Sequence, residues 1–404
     1  MRRAGARLVG IVLALAAPAH AAVIVVETTQ RSATGTLCNV GDALDAANGD
    51  VQSGGCTETL PSGADVVDLS GLTGTIAIGG DLLPVIQEDV TLRGPGANLL
   101  TIDGGGLSQI LVVAHGTLTV EGLTIANGST GGRGGCIALL GAGLVLRDSR
   151  VTGCDAFNGG AIAVDDGSTA RIERSLIDAN TAGNSGAGVI VSTSTAEIDD
   201  STFSGNVAQQ AGGGIAVFGA DGGGVATTAR IHSSTFADNG GGTGGGNLYT
   251  ASGDPAVQTL LTHVLLAAPQ SGGNCGGGAV TSQGWNLATD ASCALAATGD
   301  LPNAIADITS TLTDIGGTTA AHALLPGSAA IDGGNPAGCT DATGAPLTVD
   351  QRGAGFPRRT DGNLDGSYEC DIGAIEAAPE PGASLAGAAC CLALAIAARV
   401  RRRG

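Results

Sequence analysis

Short stretches of alternating apolar and polar residues recur from about residue 60 to about residue 290. In one stretch the apolar Ala170 and Ile172 alternate with the charged Arg171 and Glu173. A period of two is typical of β-strands, and this region carries no long run with the period of an amphipathic helix. A second short apolar stretch follows a Gly-rich corner in successive units, at residues 160–164, 186–191 and 213–217. The pattern therefore predicts short strands joined by tight corners.

The strand pattern repeats at a fixed spacing. Four copies begin 26 residues apart, at Leu118, Leu144, Ala170 and Ala196. A fifth begins at Ala229 after a Gly-rich insertion, and a weaker sixth begins at Thr259. Units of this length cannot bury their apolar faces alone and must stack on their neighbours. We therefore predict an all-β fold, a right-handed parallel β-helix with two or three short strands in each coil. About nine coils would form a rod on the order of 40 Å long at roughly 4.8 Å per coil.

Three asparagines fall at the same place in successive repeats, namely Asn180, Asn206 and Asn239. Asparagine tolerates left-handed corners, and its amide can bond to the same amide one coil away. The row is therefore interpreted as a structural ladder, with a row of ligand-binding amides as the alternative.

The composition narrows the possible partners. Glycine makes up 70 of 404 residues, aromatic residues are only 2%, and the formal net charge is −19. All 18 basic residues are arginine, since the chain contains no lysine. Such an acidic surface argues against nucleic acid and anionic polysaccharide as partners.

The N-terminal segment and the cysteines both indicate export. Residues 1–21 combine a basic start, a short apolar run and the sequence Ala-His-Ala ending at Ala21, which together are typical of a cleaved secretory signal peptide. Three cysteine pairs are 18 residues apart, and two further cysteines follow. Four disulfides are the natural interpretation for an exported chain, with metal binding as the rival and the connectivity left open. The candidate cysteines are Cys38, Cys56, Cys136, Cys154, Cys275, Cys293, Cys339 and Cys370.

A short helix is predicted near the start of the mature chain. Val40, Ala43, Leu44 and Ala47 fall on one helical face, which could cover the open end of the first coil. Residues 36–48, TLCNVGDALDAAN, partially resemble the CSLREA motif found near the start of similar proteins, with CNVGDA in place of CSLREA.

The segment after the repeats contains a set of ordered motifs. These are LPGSAAIDGG at 325–334, DQRG at 350–353 and CDIGAIE at 370–376. They resemble the choice-of-anchor Q domain, a family that caps β-helical surface proteins just before a C-terminal anchor. The resemblance implies a surface protein and implies no catalytic activity.

The C-terminal tail begins with Pro379, Glu380 and Pro381. An uncharged run at residues 382–398 follows, and the tail closes with Arg399, Arg401, Arg402 and Arg403. This order predicts a helix-breaking spacer, a minimal transmembrane helix and a basic cytoplasmic anchor. It resembles the PEP-CTERM sorting signal of Gram-negative bacteria, which an exosortase recognises and processes. The resemblance implies secretion, transient anchoring in the inner membrane, and delivery to the envelope surface or matrix. A plain tail anchor is the alternative.

Catalytic residues are harder to find. Glycoside hydrolysis needs two carboxylates across the scissile bond, and the candidates are Asp165 with Asp166 and Asp199 with Asp200. Adjacent residues of a strand point to opposite faces, so each pair is more simply interpreted as a solvated corner.

Asp361, Asn363 and Asp365 begin like a calcium loop, but Ile372 replaces the acid expected at the twelfth position. A looser calcium site or a polar turn are the two interpretations, and no other cofactor is expected.

The sequence thus predicts five regions: a signal peptide (1–21), an N-terminal cap (22–60), β-helix repeats (61–295), a C-terminal module (296–376) and a sorting tail (377–404).

The predicted function is a structural, adhesive or carbohydrate-binding role at the bacterial surface, without enzyme activity. Its expected partners are the secretion machinery, an exosortase-type enzyme and extracellular polysaccharide. The alternative is a polysaccharide lyase or glycoside hydrolase built on the same scaffold.

Overall fold

Parallel strands stack coil upon coil into a right-handed β-solenoid of about eight turns. The structure is a computed structural model that describes residues 22–30, 37–49, 52–56, 64–220 and 224–377. Two long sheets run the length of the solenoid, and two shorter ones complete its middle coils. The all-β prediction is confirmed, together with the parallel stacking.

The long sheets contain ten strands each. Sheet 1 consists of Val23–Val25, Asp65–Asp68, Val90–Arg93, Thr117–Glu121, Gly143–Arg147, Thr169–Glu173, Thr195–Asp199, Thr227–His232, Val257–Thr262 and Thr281–Ser282. Sheet 2 consists of Gly74–Ala77, Leu100–Asp103, Thr124–Ala126, Arg150–Thr152, Leu176–Asp178, Thr202–Ser204, Thr235–Ala237, Leu265–Ala267, Leu287–Ala288 and Leu301–Pro302.

The short sheets follow in the same winding order. Sheet 3 consists of Ser129–Arg133, Asp155–Asn158, Thr181–Ser185, Val207–Ala208 and Gly240–Gly241. Sheet 4 consists of Leu111–Val113, Ile137–Leu140, Ile162–Asp165, Val189–Ser192, Ile215–Phe218, Leu248–Thr250 and Cys275–Gly277. The middle coils therefore have four strands, one more than the two or three predicted. Sheet 3 escaped the prediction because its strands are rich in Thr, Gly and Asn and show little apolar alternation.

The predicted repeat spacing is the register of sheet 1. The repeat starts pair directly with one another from coil to coil, in the order Leu118, Leu144, Ala170, Ala196, Ala229 and Thr259. Even the two irregular spacings keep this register, because the extra residues lie in the corners. Equivalent side chains therefore lie above one another, and the buried Phe203 and Phe236 stack with ring centroids 4.6 Å apart.

Buried polar ladders hold two of the corners. At the corner between sheets 2 and 3, the backbone N–H of Asn180 donates to Asn206 Oδ1 at 3.2 Å, and that of Asn206 donates to Asn239 Oδ1 at 3.0 Å. All three side chains are fully buried. A serine ladder at the corner between sheets 1 and 2 works in the same way, and it joins Ser149, Ser175, Ser201 and Ser234. These groups satisfy corner amides that no strand partner reaches.

A helix covers the first coil. It spans Val40–Gly49, and Asn39 caps it by accepting hydrogen bonds from the N–H groups of Gly41 and Asp42 at 3.0 and 3.1 Å. Its apolar face is buried, as predicted. The disulfide Cys38–Cys56 ties the segment down.

All four predicted disulfides are present. Besides the one at the helix, they join Cys136 to Cys154, Cys275 to Cys293 and Cys339 to Cys370. Each joins two cysteines in neighbouring corners or loops, with Cα atoms 4.4–6.2 Å apart across the set.

Residues 303–377, here called the C-terminal module, fold back along the solenoid. We expected a module at residues 296–376, with residues 325–376 capping the end of the rod. The last strand of sheet 2, Leu301–Pro302, lies inside the range expected for the module, and the chain then returns across the outer face of sheet 2. The described part of the module is held by isolated bridges such as Ile308 with Leu324 and Val349 with Pro357, not by strands. The module is thus a covering layer on the side of the solenoid.

Candidate functional site

Hydroxyl side chains on the outer face of sheet 2 bind the C-terminal module. Thr202 donates to Gln351 Oε1 at 2.5 Å, and Ser204 lies 2.9 Å from His322 Nε2. His322 Nδ1 lies 2.6 Å from the carbonyl of Thr309, so that nitrogen carries the proton and Nε2 accepts from the serine. Burial lowers the pKa of His322, which keeps its imidazole neutral. The polar face of sheet 2 is therefore an internal interface.

The same interface continues toward the last coils. The N–H of Ala374 donates to Thr235 Oγ1 at 2.9 Å, and the N–H of Gly373 donates to the carbonyl of His263 at 2.9 Å. His263 Nε2 accepts from the N–H of Asn335 at 3.1 Å. Burial lowers the pKa of His263 to about 3, so it is a neutral acceptor. His263 also lies beside Cys339 and Cys370, but their sulfurs are joined in a disulfide and cannot ligate a metal.

A fully buried arginine lies at the centre of the interface. The side chain of Arg358 is 0% exposed, and its Nη2 donates to the carbonyl of Gly373 at 2.5 Å. Its Nε lies 3.7 Å from Asp200 Oδ1, and its Nη1 lies 3.4 Å from Glu376 Oε1. Asp371 lies close enough to interact electrostatically with the same guanidinium. These residues form what we call the Arg358 cluster.

The cluster contains more acids than the one guanidinium can neutralise. Burial raises the pKa of Asp200 to about 8 against the opposing effect of Arg358, and it raises the pKa of Asp371 to about 6. Burial also raises the pKa of Glu376 well above its usual value. Desolvation disfavours each ionised carboxyl, and the charge of Arg358 acts against this effect.

Two carboxylates of the predicted catalytic pairs, those of Asp165 and Asp199, accept hydrogen bonds from other parts of the protein. Asp199 accepts from the N–H of Ala342 at 2.8 Å, and burial raises its pKa to about 7. Asp199 and Asp200 are only 2% and 3% exposed, because the module covers them. Asp165 binds Arg133 through two hydrogen bonds of 2.5 and 2.6 Å.

The two pairs also lie on different faces. Asp165 ends a strand of sheet 4, whereas Asp199 ends a strand of sheet 1. Asp166 and Asp200 follow in left-handed corners, with φ of 58° and 47°. Asp199 and Asp200 are buried and Asp165 is bound by Arg133, so neither pair offers two free carboxyls to a substrate.

Arginines on sheet 1 are paired with acids from neighbouring coils. Arg147 Nε lies 2.7 Å from Glu173 Oε2, and Arg174 Nε lies 2.8 Å from Asp148 Oδ1. Arg171 binds the same Glu173. These pairs neutralise a local group of arginines that could otherwise bind an acidic sugar.

The predicted calcium residues form a turn that binds its own backbone. Asp361 accepts from the N–H groups of Asp365 and Gly366 at 3.0 Å, and Asn363 accepts from that of Asp365 at 2.9 Å. This is the geometry of the polar-turn interpretation. The looser calcium site stays a prediction.

An open groove lies on the outer face of sheet 3, which the module leaves uncovered. It has a volume of about 520 Å³ and crosses four coils at Thr130, Asp155, Thr181 and Val207. Phe157 is one of the lining residues and is 55% exposed. We call this surface the sheet 3 groove.

A bulge and two glycines shape the sheet 3 groove. Phe157 points outward because it alternates with the buried Ala156 along its strand. The strand register shifts between Ala156 and Asn158, where each neighbouring strand has one extra residue. Gly183 lies beneath the ring, since a Cβ there would lie 3.4 Å from Phe157 Cδ2, and Gly131 on the other side has open space. Sequence reasoning missed this surface, although Phe157 is one of the few aromatic residues.

The sorting and signal residues lie outside the described residues. These include Pro379, Glu380, Pro381, the predicted span at 382–398 and the arginines Arg399, Arg401, Arg402 and Arg403. Among the residues that are described, no helix has the length and apolar character needed to cross a membrane.

The comparisons with known proteins concern the solenoid. Residues 90–236 match the family model "Right handed beta helix region". No match was found among the curated proteins, and none among the solved structures. The matched domain family includes both surface proteins and polysaccharide-active enzymes, so the match supports the fold and leaves the activity open.

We expect Arg358→Ala to lower the free energy of unfolding by about 3–5 kcal/mol, because it leaves buried acids without their counter-charge. Chemical denaturation of residues 22–377 measures this loss, and protease digestion should show early cleavage within the C-terminal module. The matched control is the exposed neighbour Arg359→Ala, for which a change of at most about 0.5 kcal/mol is expected. Equal effects of the two substitutions would contradict the role given to Arg358.

Proposed function

We propose that this protein is exported to the surface or extracellular matrix of a Gram-negative bacterium and binds carbohydrate there without cleaving it. The observation that carries the proposal is that the C-terminal module covers one face of the solenoid and leaves another face open. The acids that could have served catalysis, Asp199 and Asp200, are buried beneath the C-terminal module. The sheet 3 groove, in contrast, is open and carries an exposed aromatic ring.

Export is supported by the disulfides. One disulfide lies in the N-terminal cap, two lie at different levels of the solenoid, and one lies in the C-terminal module. Such bonds form and persist in oxidising compartments. The signal-peptide pattern of residues 1–21 and the PEP-CTERM-like tail at 377–404 agree with secretion and processing by an exosortase-type enzyme.

The chemistry of the sheet 3 groove favours a neutral, linear polysaccharide. Phe157 offers an apolar ring face for a sugar ring, while Thr130, Asp155 and Gln209 offer hydrogen-bonding groups for hydroxyls. The net charge of −19 would repel acidic glycans. The four coils span about 14 Å at roughly 4.8 Å per coil, enough for a short run of sugar units.

We expect Phe157→Ala to weaken binding to a neutral polysaccharide by about tenfold, since the stacking surface is lost. Gly131→Val should weaken it similarly, because its side chain would fill the open part of the groove. Affinity electrophoresis of residues 22–377 in gels containing amylose, mannan, xylan or hydroxyethylcellulose measures the binding.

Two controls accompany this test. Leu140→Ala removes a side chain that is 48% exposed on sheet 4 and should leave retardation unchanged. Reducing sugars should not accumulate in any mixture. Robust sugar release would establish the lyase or hydrolase alternative and overturn the non-catalytic proposal.

Replacement of Pro379, Glu380 and Pro381 by alanine should keep the protein in the membrane fraction and unprocessed, because the processing enzyme loses its recognition sequence. Cell fractionation and the mass of the protein in a host with an exosortase measure the outcome. Replacement of Pro302 by alanine in the same protein serves as the control and should leave release normal. Unchanged release of the triple variant would contradict the sorting proposal.

A further inference from the structure

A buried aspartate contacts the backbone nitrogen that follows the predicted cleavage site. The N–H of Ala22 donates to Asp65 Oδ1 at 3.1 Å. Asp65 is 0% exposed and Ala22 is 5% exposed, so the contact is enclosed by protein. A buried carboxylate is costly unless it is paired with a charge or a strong donor.

Strand pairing fixes the nitrogen in this position. The carbonyl of Ala22 accepts from the N–H of Val66 at 2.9 Å, and Val23–Val25 then pairs in parallel with Asp65–Asp68. The first strand of sheet 1 therefore begins one residue after the nitrogen that contacts Asp65. A change in the charge of that nitrogen would act directly on the first coil.

Signal-peptide cleavage changes that charge. A signal peptidase adds water across the peptide bond between Ala21 and Ala22. The new carboxylate leaves with the signal peptide, and the amino group that remains on Ala22 takes up a proton. An uncharged amide beside Asp65 thus becomes an ammonium group.

We propose that Asp65 is a built site for the new N-terminus, in which the α-ammonium of Ala22 forms a buried ion pair with the Asp65 carboxylate after processing. This inference rests on the proposed export and on cleavage after Ala21. The ion pair exists only in the processed protein, so cleavage itself fastens the first strand to the solenoid. The secreted form is therefore more stable at this end than the precursor.

The absence of lysine provides a direct test. All 18 basic residues of the chain are arginine, so the α-amino group is the only primary amine of the mature protein. An amine-reactive ester therefore labels the N-terminus alone. An ion pair that raises the pKa of this amine by one unit would slow labelling about tenfold near pH 7, below the ordinary pKa of the amine, since only the neutral amine reacts.

The experiment begins with the intact mass and N-terminal sequence of the exported protein, which should start at Ala22. Labelling of the native protein should be at least about tenfold slower than labelling in urea. Asp65→Asn and an added N-terminal glycine should each restore fast labelling. Asp68→Asn is the matched control on the same strand and should stay slow, since Asp68 Oδ1 accepts from the N–H of Ser70.

The outcomes separate the two proposals. An exported protein that begins at another residue would overturn the predicted processing and, with it, this inference. A protein that begins at Ala22 but labels as fast in its native state as in urea would overturn the ion pair alone. If Asp65→Asn does not fold, the native protein and the glycine-extended form still decide, because equal labelling rates in those two would contradict the proposal.

Discussion

The stacking of equivalent residues, coil upon coil, is the constraint on which the rest of this structure depends. Backbone hydrogen bonds between coils require each strand to lie over the same strand of the next coil, so side chains at equivalent positions lie above one another. Ser175 and Asn180 become ladders for this reason, and Phe203 stacks on Phe236. The side chains that successive coils place on one face decide what can cover that face.

The faces of the solenoid have separate roles as a result. Sheet 2 presents a row of hydroxyl side chains, including Thr202, Ser204 and Thr235, and the C-terminal module covers them. The Arg358 cluster lies where this layer meets the corner of sheet 1, and the charge of Arg358 offsets part of the cost of burying Asp200 and Glu376. Sheet 3 lies outside this layer and remains available for a ligand.

The sequence predicted the parts that depend on periodicity and missed those that depend on contacts between distant segments. The copies at Leu144 and Ala170 pair in the predicted register. Apolar alternation marks the strands, and the constant spacing between them gives the length of one coil. The position of the module could not be predicted, since nothing local in residues 303–377 indicates that Gln351 binds Thr202. Asp199 and Asp200 look like a catalytic pair in the sequence, and only the folded chain brings Arg358 to them.

The sheet 3 groove also depends on contacts that the sequence pattern does not show. A lone Phe157 among Thr, Gly and Asn residues is a weak signal in a sequence, because an aromatic residue in a strand is usually part of the core. In the fold, alternation with the buried Ala156 places the ring on the outer face of sheet 3. The sequence could not show that the C-terminal module leaves this face uncovered, since that depends on contacts between distant segments.

The C-terminal module packs against the solenoid and covers sheet 2. Hydrogen–deuterium exchange of residues 22–377, resolved to single amides, tests it most directly. The N–H groups of Ala342, Gly373 and Ala374 bind Asp199, His263 and Thr235 of the solenoid, so they should exchange as slowly as the strands beneath them. Exchange of these three amides at the rate of a free peptide, while the strand Val257–Thr262 stays protected, would contradict the account.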